Sequence, residues 1–313
     1  MTRHVIVGKG AVGTTLAHQL ADDGADVLVL SRTGGASDGR ITHAAVDATD
    51  VDALTAATRG ADVVYSCAAP PYHRWPTDWP PLWASLLDSA ARTGAVLVAV
   101  GNLYGYATHG AVMTEDTPLD STERKGRVRA QMWRDAEARR RAGDLRVTEV
   151  RGADYFGPFA DSQAMAGPRF LGPLLAGRVV RTVTAVDQPH SWTYLPDLAR
   201  ALVAAGRTPD AWGRAWHVPT AEPLTMRELG ERFAGAGPAP RIRPMPGPVV
   251  RALGVVSPLL REVAGVSDHF TQPYVMDTTA SSRMLGLVAT PWDTAIDETI
   301  AATLGRSGVG GRA

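Results

Sequence analysis

The sequence is poor in cysteine and lacks long apolar runs, and these two absences limit where the protein works. Cys67 is the single cysteine among 313 residues, so no disulfide can form within the chain, which suits a reducing compartment. No run approaches the ~20 apolar residues that a membrane helix needs. The N-terminal MTRHVIVGKG has no apolar stretch followed by a small-residue cleavage site. We therefore expect a cytoplasmic protein.

An excess of charge of one sign is also absent. The 32 basic residues balance 32 acidic residues, which argues against nucleic acid or an anionic membrane as the main partner, since both favour a basic face. Eight histidines are scattered without an i, i+4 pair and without a cysteine partner, so we predict no metal site. With 45% hydrophobic and 20% charged residues, the composition is that of a globular protein with a sizeable core.

Lysine is the second scarce residue type. Lys9 and Lys125 are the two lysines, and the other thirty basic residues are arginines. Lys125 lies in the stretch RKGRVR, together with Arg124, Arg127 and Arg129. In so arginine-rich a chain, a lysine here indicates a need for a small ammonium that can give up its proton, which arginine cannot do. The alternative is a solvated cation at a helix start, and we expect Arg124 and Arg127 to be mostly solvated.

The first 150 residues contain a regular alternation of apolar runs and helical patterns. The apolar runs, which predict strands, lie at 4–8, 26–30, 40–46, 62–68, 96–100 and 145–152. Segments with helical spacing lie between them, at 11–23, 50–60, near 79–92 and about 122–141. Strands that read as continuous apolar runs are typical of a parallel sheet buried on both faces. The alternation predicts an α/β fold with a Rossmann-type doubly wound parallel sheet.

This rhythm breaks after residue 153. Proline and glycine punctuate the segment 157–178, a pattern that fits a smaller and loop-rich lobe. We predict a dinucleotide-binding domain at 1–153, with returning segments near 179–218, and a C-terminal part at 154–313 that is mostly a substrate-binding lobe.

The motif G-x-G-x-x-G closes the first apolar run and opens the first helix, which is the context that dinucleotide binding requires. Its first glycine allows a tight turn, its second lets the backbone approach a pyrophosphate, and its third lets the helix pack on the strand. The helix N-terminus adds free N–H groups for the phosphates. The candidate cofactor residues here are Gly8, Gly10, Ala11, Val12 and Gly13. The alternative is a glycine turn that has lost its nucleotide.

The residues after the second apolar run indicate which cofactor binds. NAD-binding proteins usually carry an acid there for the ribose 2′-OH. This chain has Ser31, Arg32 and Thr33 instead, and no carboxylate before Asp38. Two hydroxyls and a guanidinium suit a 2′-phosphate. We predict NADP(H), with NAD(H) the weaker candidate; the alternative is that Arg32 is an exposed residue stacked on adenine.

Seven sequence blocks follow one another in a characteristic order. They are VIVGKGAVG, VDATD (46–50), ADVVYSCAAPPY (61–72), VGNLYGY (100–106), RKGRVRAQ (124–131), RGADYFGP (151–158) and WTYLPDLARAL (192–202). Their order and spacing resemble the extended, epimerase/dehydratase-like branch of the short-chain dehydrogenase/reductase superfamily, over nearly the whole chain. The resemblance implies further cofactor contacts: Asp47 and Ala48 near adenine, Ala68, Ala69 and Pro70 after the fourth strand, Val100 after the fifth, and Phe156 after the sixth.

The resemblance also exposes a departure from the family's chemistry. The family uses a Ser or Thr and a Tyr-x-x-x-Lys pair, in which the tyrosine donates a proton and the lysine contacts the nicotinamide ribose. These positions are Val100, Lys125 and Arg129 here, so all three usual groups are absent. We expect Arg129 to contact the ribose and Lys125 to point into the substrate pocket one helical turn earlier.

Other polar residues are expected near the same place. Asn102 and Tyr104 follow the fifth strand, and Tyr155 follows the sixth, where the carboxyl ends of parallel strands meet the ligand. Tyr155 or Tyr104 can replace the missing phenol as proton donor, although Tyr104 can equally have a packing role. The candidate catalytic residues are Lys125, Tyr155, Arg129, Asn102 and Tyr104.

The sequence therefore predicts an NADP-dependent oxidoreductase that acts on a small carbonyl or imine. The hydride would come from the nicotinamide, and the proton from Lys125, Tyr155 or water. One alternative is a non-redox dehydratase, isomerase or cyclase on the same fold. Another is a regulator that senses NADP without catalysis. The expected partner is a small-molecule substrate, and a homodimer is the candidate assembly.

Overall fold

The fold is described from a computed structural model, which covers residues 2–107, 110–182, 185–245, 249 and 271–309. The strands are β1 (His4–Val7), β2 (Val27–Ser31), β3 (Ile41–Ala45), β4 (Val63–Ser66), β5 (Val96–Asn102), β6 (Arg146–Gly152), β7 (Asp154–Phe156), β8 (Val180–Thr182), β9 (Trp192–Tyr194), β10 (Ala215–His217) and β11 (Ile242–Pro244). The helices are α1 (Ala11–Asp22), α2 (Val51–Thr58), α3 (Trp75–Thr93), α4 (Arg124–Arg141), α5 (Pro168–Leu175), α6 (Leu195–Arg207), α7 (Met226–Ala234), α8 (Thr279–Leu285) and α9 (Trp292–Val309).

Seven of the strands form one parallel sheet in the order β10-β6-β5-β4-β1-β2-β3. The predicted doubly wound parallel sheet is thereby confirmed. Strand β1 lies between β2 and β4, with His4 opposite both Val27 and Val63. The strand order reverses at this point, and a crevice outside the carboxyl ends of β1 and β4 follows from that reversal.

Both faces of the sheet are buried, as the continuous apolar runs predicted. In β1, Val5 and Val7 pack on one face with Leu86 of α3, whereas Ile6 packs on the other face with Leu16 of α1. Each strand thus contributes alternate side chains to two separate cores. This double burial fixes the strand ends from which the site residues project.

Helix α3 begins earlier than the pattern at 79–92 predicts. It starts at Trp75, with Pro76 in the first turn, where a missing N–H costs nothing. The prolines at 80 and 81 break the helical pattern in the sequence but lie inside the helix. The extra turn matters for the site, because it brings Trp75 and Trp79 to the sheet edge, both nearly fully buried.

The C-terminal part forms its own small core. Strand β7 pairs with β9, and β8 pairs with β11. Phe156 is 2% exposed and packs against Tyr194, Trp292 and Phe233 in this core. Strand alternation turns the Phe156 side chain into the lobe, and its expected contact with the cofactor remains a prediction.

Segments after residue 153 also return to the main sheet. Strand β10 pairs with β6 at the sheet edge, and α6 packs beside α1 in the core that contains Leu198. The division of the chain into a domain at 1–153 and a lobe at 154–313 remains a prediction. Within the described residues, no helix combines the length and apolar character needed to cross a bilayer.

Candidate active site

A cavity of about 1120 Å³ opens at the carboxyl ends of the central strands. Most of the residues singled out from the sequence line it: Gly8, Gly10, Ala11, Val12, Ser31, Arg32, Asp47, Ala48, Ala68, Ala69, Pro70, Val100, Asn102, Tyr104, Arg129 and Tyr155. Gly13, Thr33, Lys125 and Phe156 do not line it. We call the part around the glycine loop and Arg32 the adenosine end, and the part around Val100, Arg129 and Tyr155 the catalytic end.

The glycine loop has the geometry that a pyrophosphate requires. Gly8 has a φ of +114°, and a Cβ there would lie 2.4 Å from the backbone nitrogen of Ala68. A Cβ on Gly13 would lie 2.0 Å from the Gly8 oxygen, so Gly13 allows α1 to approach β1 and does not contact the cavity itself. A Cβ on Gly10 would meet nothing within 4 Å, because that position faces the open cavity. The loop therefore leaves space for a bound group at Gly10 alone.

Two cations lie at the adenosine end, Arg32 after β2 and Lys9 in the glycine loop. Arg32 is exposed and lines the cavity, as does Lys9 of the glycine loop. The Lys9 Nζ atom donates to Thr33 Oγ1 at 2.7 Å and to the Gly34 oxygen at 2.7 Å. Thr33 is thus held by Lys9 and does not line the cavity itself, and its part in binding a 2′-phosphate remains a prediction. Sequence reasoning missed Lys9 as a wall residue, although its position within G-K-G was a usable signal.

Asp47 lies in the same end of the cavity. Its carboxylate accepts hydrogen bonds from the backbone and the hydroxyl of Thr49, and these bonds, with a smaller contribution from the charge of Arg32, lower the pKa of Asp47. The carboxylate is therefore ionised and already hydrogen-bonded within its own turn. A hydroxyl of an adenosine ribose can still reach it, whereas a phosphate is better matched by Arg32.

Arg129 is the polar residue of α4 that reaches the cavity. It is 7% exposed, its Nη2 atom donates to the Val100 oxygen at 2.6 Å, and its guanidinium lies over the ring of Trp79 at 5.1 Å. Burial is the largest influence on the pKa of Arg129 and lowers it, while the charge of Glu149 opposes that effect. The Nε atom has no hydrogen-bond partner in the described part of the protein.

A buried network lies behind Arg129. Glu149 lies 3.9 Å from Arg129, accepts a hydrogen bond from Arg151 Nε at 2.7 Å and forms an ion pair with Arg151 Nη2. Arg151 also donates to the Tyr106 hydroxyl at 2.7 Å, and that hydroxyl lies 2.9 Å from Nε2 of His217. Burial lowers the pKa of His217, so its imidazole is neutral and can accept from Tyr106. The network supplies Arg129 with a fixed counter-charge.

Lys125 is buried rather than solvated. It is 3% exposed, and its Nζ atom lies 4.1 Å from the centre of the Tyr72 ring. The interpretation as a solvated helix-start cation is therefore wrong, whereas Arg124 and Arg127 are exposed as expected. Tyr72 lines the cavity, and Lys125 lies against its ring without lining the cavity itself. The expected place of Lys125 in the substrate pocket, and its catalytic role, remain predictions.

Tyrosines form much of the wall at the catalytic end. Burial raises the pKa of Tyr155 to about 12, with Arg129 opposing the shift, and it raises the pKa values of Tyr104 and Tyr274 well above the ordinary value. All three phenols are therefore protonated and neutral near pH 7. No motif pointed to Tyr274, which lines the cavity from a distant part of the chain. Asn102 lies beside them, and its Oδ1 atom accepts from the Tyr104 backbone at 3.3 Å.

Asp154 and His190 form a pair at the same end. Asp154 Oδ2 lies 2.8 Å from His190 Nε2, and the two side chains are 18% and 11% exposed. Asp154 lines the cavity. Asp154 follows β6, and His190 precedes β9. The two residues are 36 positions apart in the sequence, so their contact could not be predicted without the fold.

Comparisons with known proteins agree with this geometry. The model of the NAD dependent epimerase/dehydratase family matches residues 5–218. Among curated protein sequences, none matches the chain. Solved structures that resemble it include MoeE5 in complex with UDP-glucose and NAD, at 17% identity and a TM-score of 0.77, covering 97% of this chain and 99% of that one.

Two further structures show the same fold. DesIV, a dTDP-glucose 4,6-dehydratase from Streptomyces venezuelae with NAD and TYD bound, is 20% identical with a TM-score of 0.76, and 98% of each chain is covered. A nucleoside-diphosphate-sugar epimerase from Pseudomonas aeruginosa is 20% identical with a TM-score of 0.72, covering 97% of this chain and 98% of that one. With the family model matching more than half of its length, the chain belongs to the NAD dependent epimerase/dehydratase family.

Proposed function

We propose that the protein is an NADP-preferring oxidoreductase that acts on a small carbonyl or imine. The observation that carries this proposal is the single cavity that joins Arg32 at one end to Arg129 and Tyr155 at the other. Arg32 and Lys9 place two cations where a 2′-phosphate would lie, which supports NADP over NAD. When bound, the nicotinamide supplies or accepts a hydride.

The residues of the chain divide the binding task. The backbone at Gly10 and the N-terminus of α1 would bind the pyrophosphate. Ala68, Ala69 and Pro70 line the path between the two ends. Val100 and Arg129 would contact the nicotinamide ribose.

The candidate proton donors lie at or behind the wall of the catalytic end. Tyr155 faces the cavity, and its raised pKa keeps the phenol protonated, which makes it a hydrogen-bond donor at all physiological pH values. A proton from Lys125 would have to pass the Tyr72 ring, which lines the cavity and lies against the Lys125 ammonium. Asn102 and Tyr104 would orient the substrate.

A second candidate is a non-redox epimerase or dehydratase that uses NAD. It is favoured by the family model and by the similar structure of MoeE5, which contains NAD with UDP-glucose. The absence of the family's Ser, Tyr and Lys, replaced here by Val100, Lys125 and Arg129, argues against it.

We also propose that the protein is cytoplasmic and a homodimer.

The test combines binding and turnover. NADPH and NADH are titrated by calorimetry against the wild-type protein, and NADPH oxidation is then followed with small ketones, aldehydes and cyclic imines. Tighter NADPH binding and oxidation by at least one of these compounds support the proposal. Preferential NADH binding, with conversion of a nucleotide sugar and no net oxidation, supports the second candidate instead.

A further inference from the structure

The Asp154–His190 pair fixes a carboxylate at the catalytic end. The His190 ring lies 5.0 Å from the Tyr274 ring and 4.6 Å from the Trp192 ring, and its backbone bridges to residues 224 and 274. This packing fixes the imidazole, and the imidazole in turn orients Asp154 through the 2.8 Å contact to Oδ2. Among the described residues, only His190 forms a hydrogen bond with the Asp154 carboxylate. Oδ1 is therefore available to accept a hydrogen bond from a ligand in the cavity.

Aromatic side chains line the same cavity as this carboxylate. Tyr72, Tyr104, Tyr155 and Tyr274 all line the cavity. The negative charge of Asp154 contributes to the raised pKa values of Tyr104, Tyr155 and Tyr274, which shows that all three rings lie within its electrostatic reach. A carboxylate beside aromatic faces attracts a cation, because the ring faces are negative and the carboxylate supplies the full charge.

The cations already present at this end have other partners. Arg129 donates to the Val100 oxygen and lies 3.9 Å from Glu149. Lys125 lies behind the Tyr72 ring, outside the cavity wall. Glu123 adds a further carboxylate close enough to influence Tyr274. Arg129 is thus partly matched by Glu149, and Asp154 is a carboxylate that lines the cavity near the tyrosines.

We propose that Asp154, oriented by His190, is the anchor of a subsite for a protonated nitrogen, so that the substrate is a protonated imine and the product an amine. This inference rests on the oxidoreductase proposed above and names its substrate class. It also accounts for the missing tyrosine acid. The nitrogen brings its proton with it, so the two electrons of the hydride form the new C–H bond, the C=N π pair becomes the nitrogen lone pair, and no acid is needed in that step.

The same arrangement disfavours an anionic substrate. A diphosphate placed against Asp154 would bring two negative groups together, and like charges in close contact repel. The UDP-glucose found with MoeE5 carries such a diphosphate. The subsite therefore separates this chain from that protein in the charge of the ligand that it accepts.

The test uses three probes that differ in charge. Tetrahydroisoquinoline is a cation at neutral pH, isochroman is its neutral isostere with oxygen in place of nitrogen, and UDP-glucose is an anion. Each is titrated by calorimetry and ligand-observed NMR against the wild-type protein loaded with NADP⁺, and against Asp154→Asn. Asp187→Asn, which removes a carboxylate paired with Arg227 away from the cavity, is the matched charge control.

We expect the cation to bind the wild-type protein about tenfold or more tightly than isochroman, the usual worth of a hydrogen bond to a charged group. Asp154→Asn should reduce that preference to within about twofold, and Asp187→Asn should retain it. Tighter binding of isochroman or UDP-glucose, a preference that persists in Asp154→Asn, or no measurable binding of the cation overturns the proposal. NADPH titration of each variant shows separately whether the cofactor site, and with it the proposed function, has failed.

Discussion

The two ends of the cavity differ in how the chain builds them. The adenosine end is made largely of backbone: Gly8 and Gly13 permit close contacts between strands and helix, and Gly10 leaves open space. The catalytic end is made of side chains that come from distant segments, such as Arg129 on α4 and Tyr274 far along the chain. Binding by backbone depends on a few glycines with fixed spacing, whereas catalysis by side chains depends on the whole tertiary structure. The nucleotide-binding loop at the adenosine end can therefore be kept while the side chains at the catalytic end are replaced.

Substitution of Gly10 breaks the adenosine end most completely. Gly10→Val places a branched side chain in the open space that the pyrophosphate needs, so NADPH binding should be abolished. Its thermal unfolding should match that of the wild-type protein, because no protein atom lies within 4 Å of the added Cβ. Unchanged NADPH affinity by calorimetry would refute a dinucleotide in this loop.

Gly13→Ala is the matched control for that variant. Its Cβ would lie 2.0 Å from the Gly8 oxygen, so this smaller change should destabilise the fold, by about 1–3 kcal/mol for overpacking. Denaturant unfolding measures this loss. Equal stability of the two variants would contradict the different roles assigned to the two glycines.

Substitution of Lys125 tests the catalytic end. If Lys125 donates the proton, Lys125→Met should lower turnover by about 10²–10⁴ while NADPH affinity barely changes. Arg129→Met should have the reverse effect and weaken cofactor binding first, because Arg129 lies in the cavity wall. The measurements are steady-state rates with any active substrate and NADPH titrations of each variant.

Lys125→Arg sharpens this test, since it keeps the charge but cannot donate a proton at neutral pH. Arg127→Met, on the exposed face of the same helix, controls for loss of charge and should stay within about twofold of wild type. Full activity of Lys125→Arg would contradict the acid role. It would leave Tyr155, or a substrate that carries its own proton, as the explanation.

Arg32→Ala should have a smaller and more selective effect at the adenosine end. Loss of a charged hydrogen bond to the 2′-phosphate should cost NADPH binding about 1.5–3 kcal/mol. NADH, which lacks that phosphate, should bind with nearly unchanged affinity, and parallel titrations measure the difference. An equal loss for both cofactors means that Arg32 does not read the 2′-phosphate.

The smallest expected effect is a change in the labelling rate of the Cys67 thiol, which lies between the two ends of the cavity. Cys67 lines the cavity beside Ala68, and burial raises the pKa of its thiol well above the ordinary value. Thiol labelling should therefore be slow, should accelerate as the pH rises and more thiolate forms, and should slow when NADPH is bound. Labelling that is fast at neutral pH and insensitive to NADPH would place the cofactor elsewhere.

The sequence predicted the backbone-built adenosine end better than the catalytic end, which is built from side chains. The apolar runs predicted the parallel sheet, and the glycine spacing predicted the loop, because both depend on local rules of burial and backbone freedom. The sequence does not show which way a loop or lobe strand turns, so it could not predict that Thr33 and Phe156 lie outside the cavity wall. It also could not predict that the Tyr72 ring, 53 positions earlier in the chain, lies against Lys125. The Asp154–His190 contact likewise needs the fold to be seen.

A crystal structure with NADPH tests the central claim most directly, namely that a complete cofactor site is joined to a rebuilt catalytic end. We predict that the 2′-phosphate contacts Arg32, that the pyrophosphate lies against Gly10, and that the nicotinamide lies beside Val100, Arg129 and Tyr155. A cofactor whose 2′-phosphate lies away from Arg32, or whose nicotinamide lies outside the cavity, would contradict it.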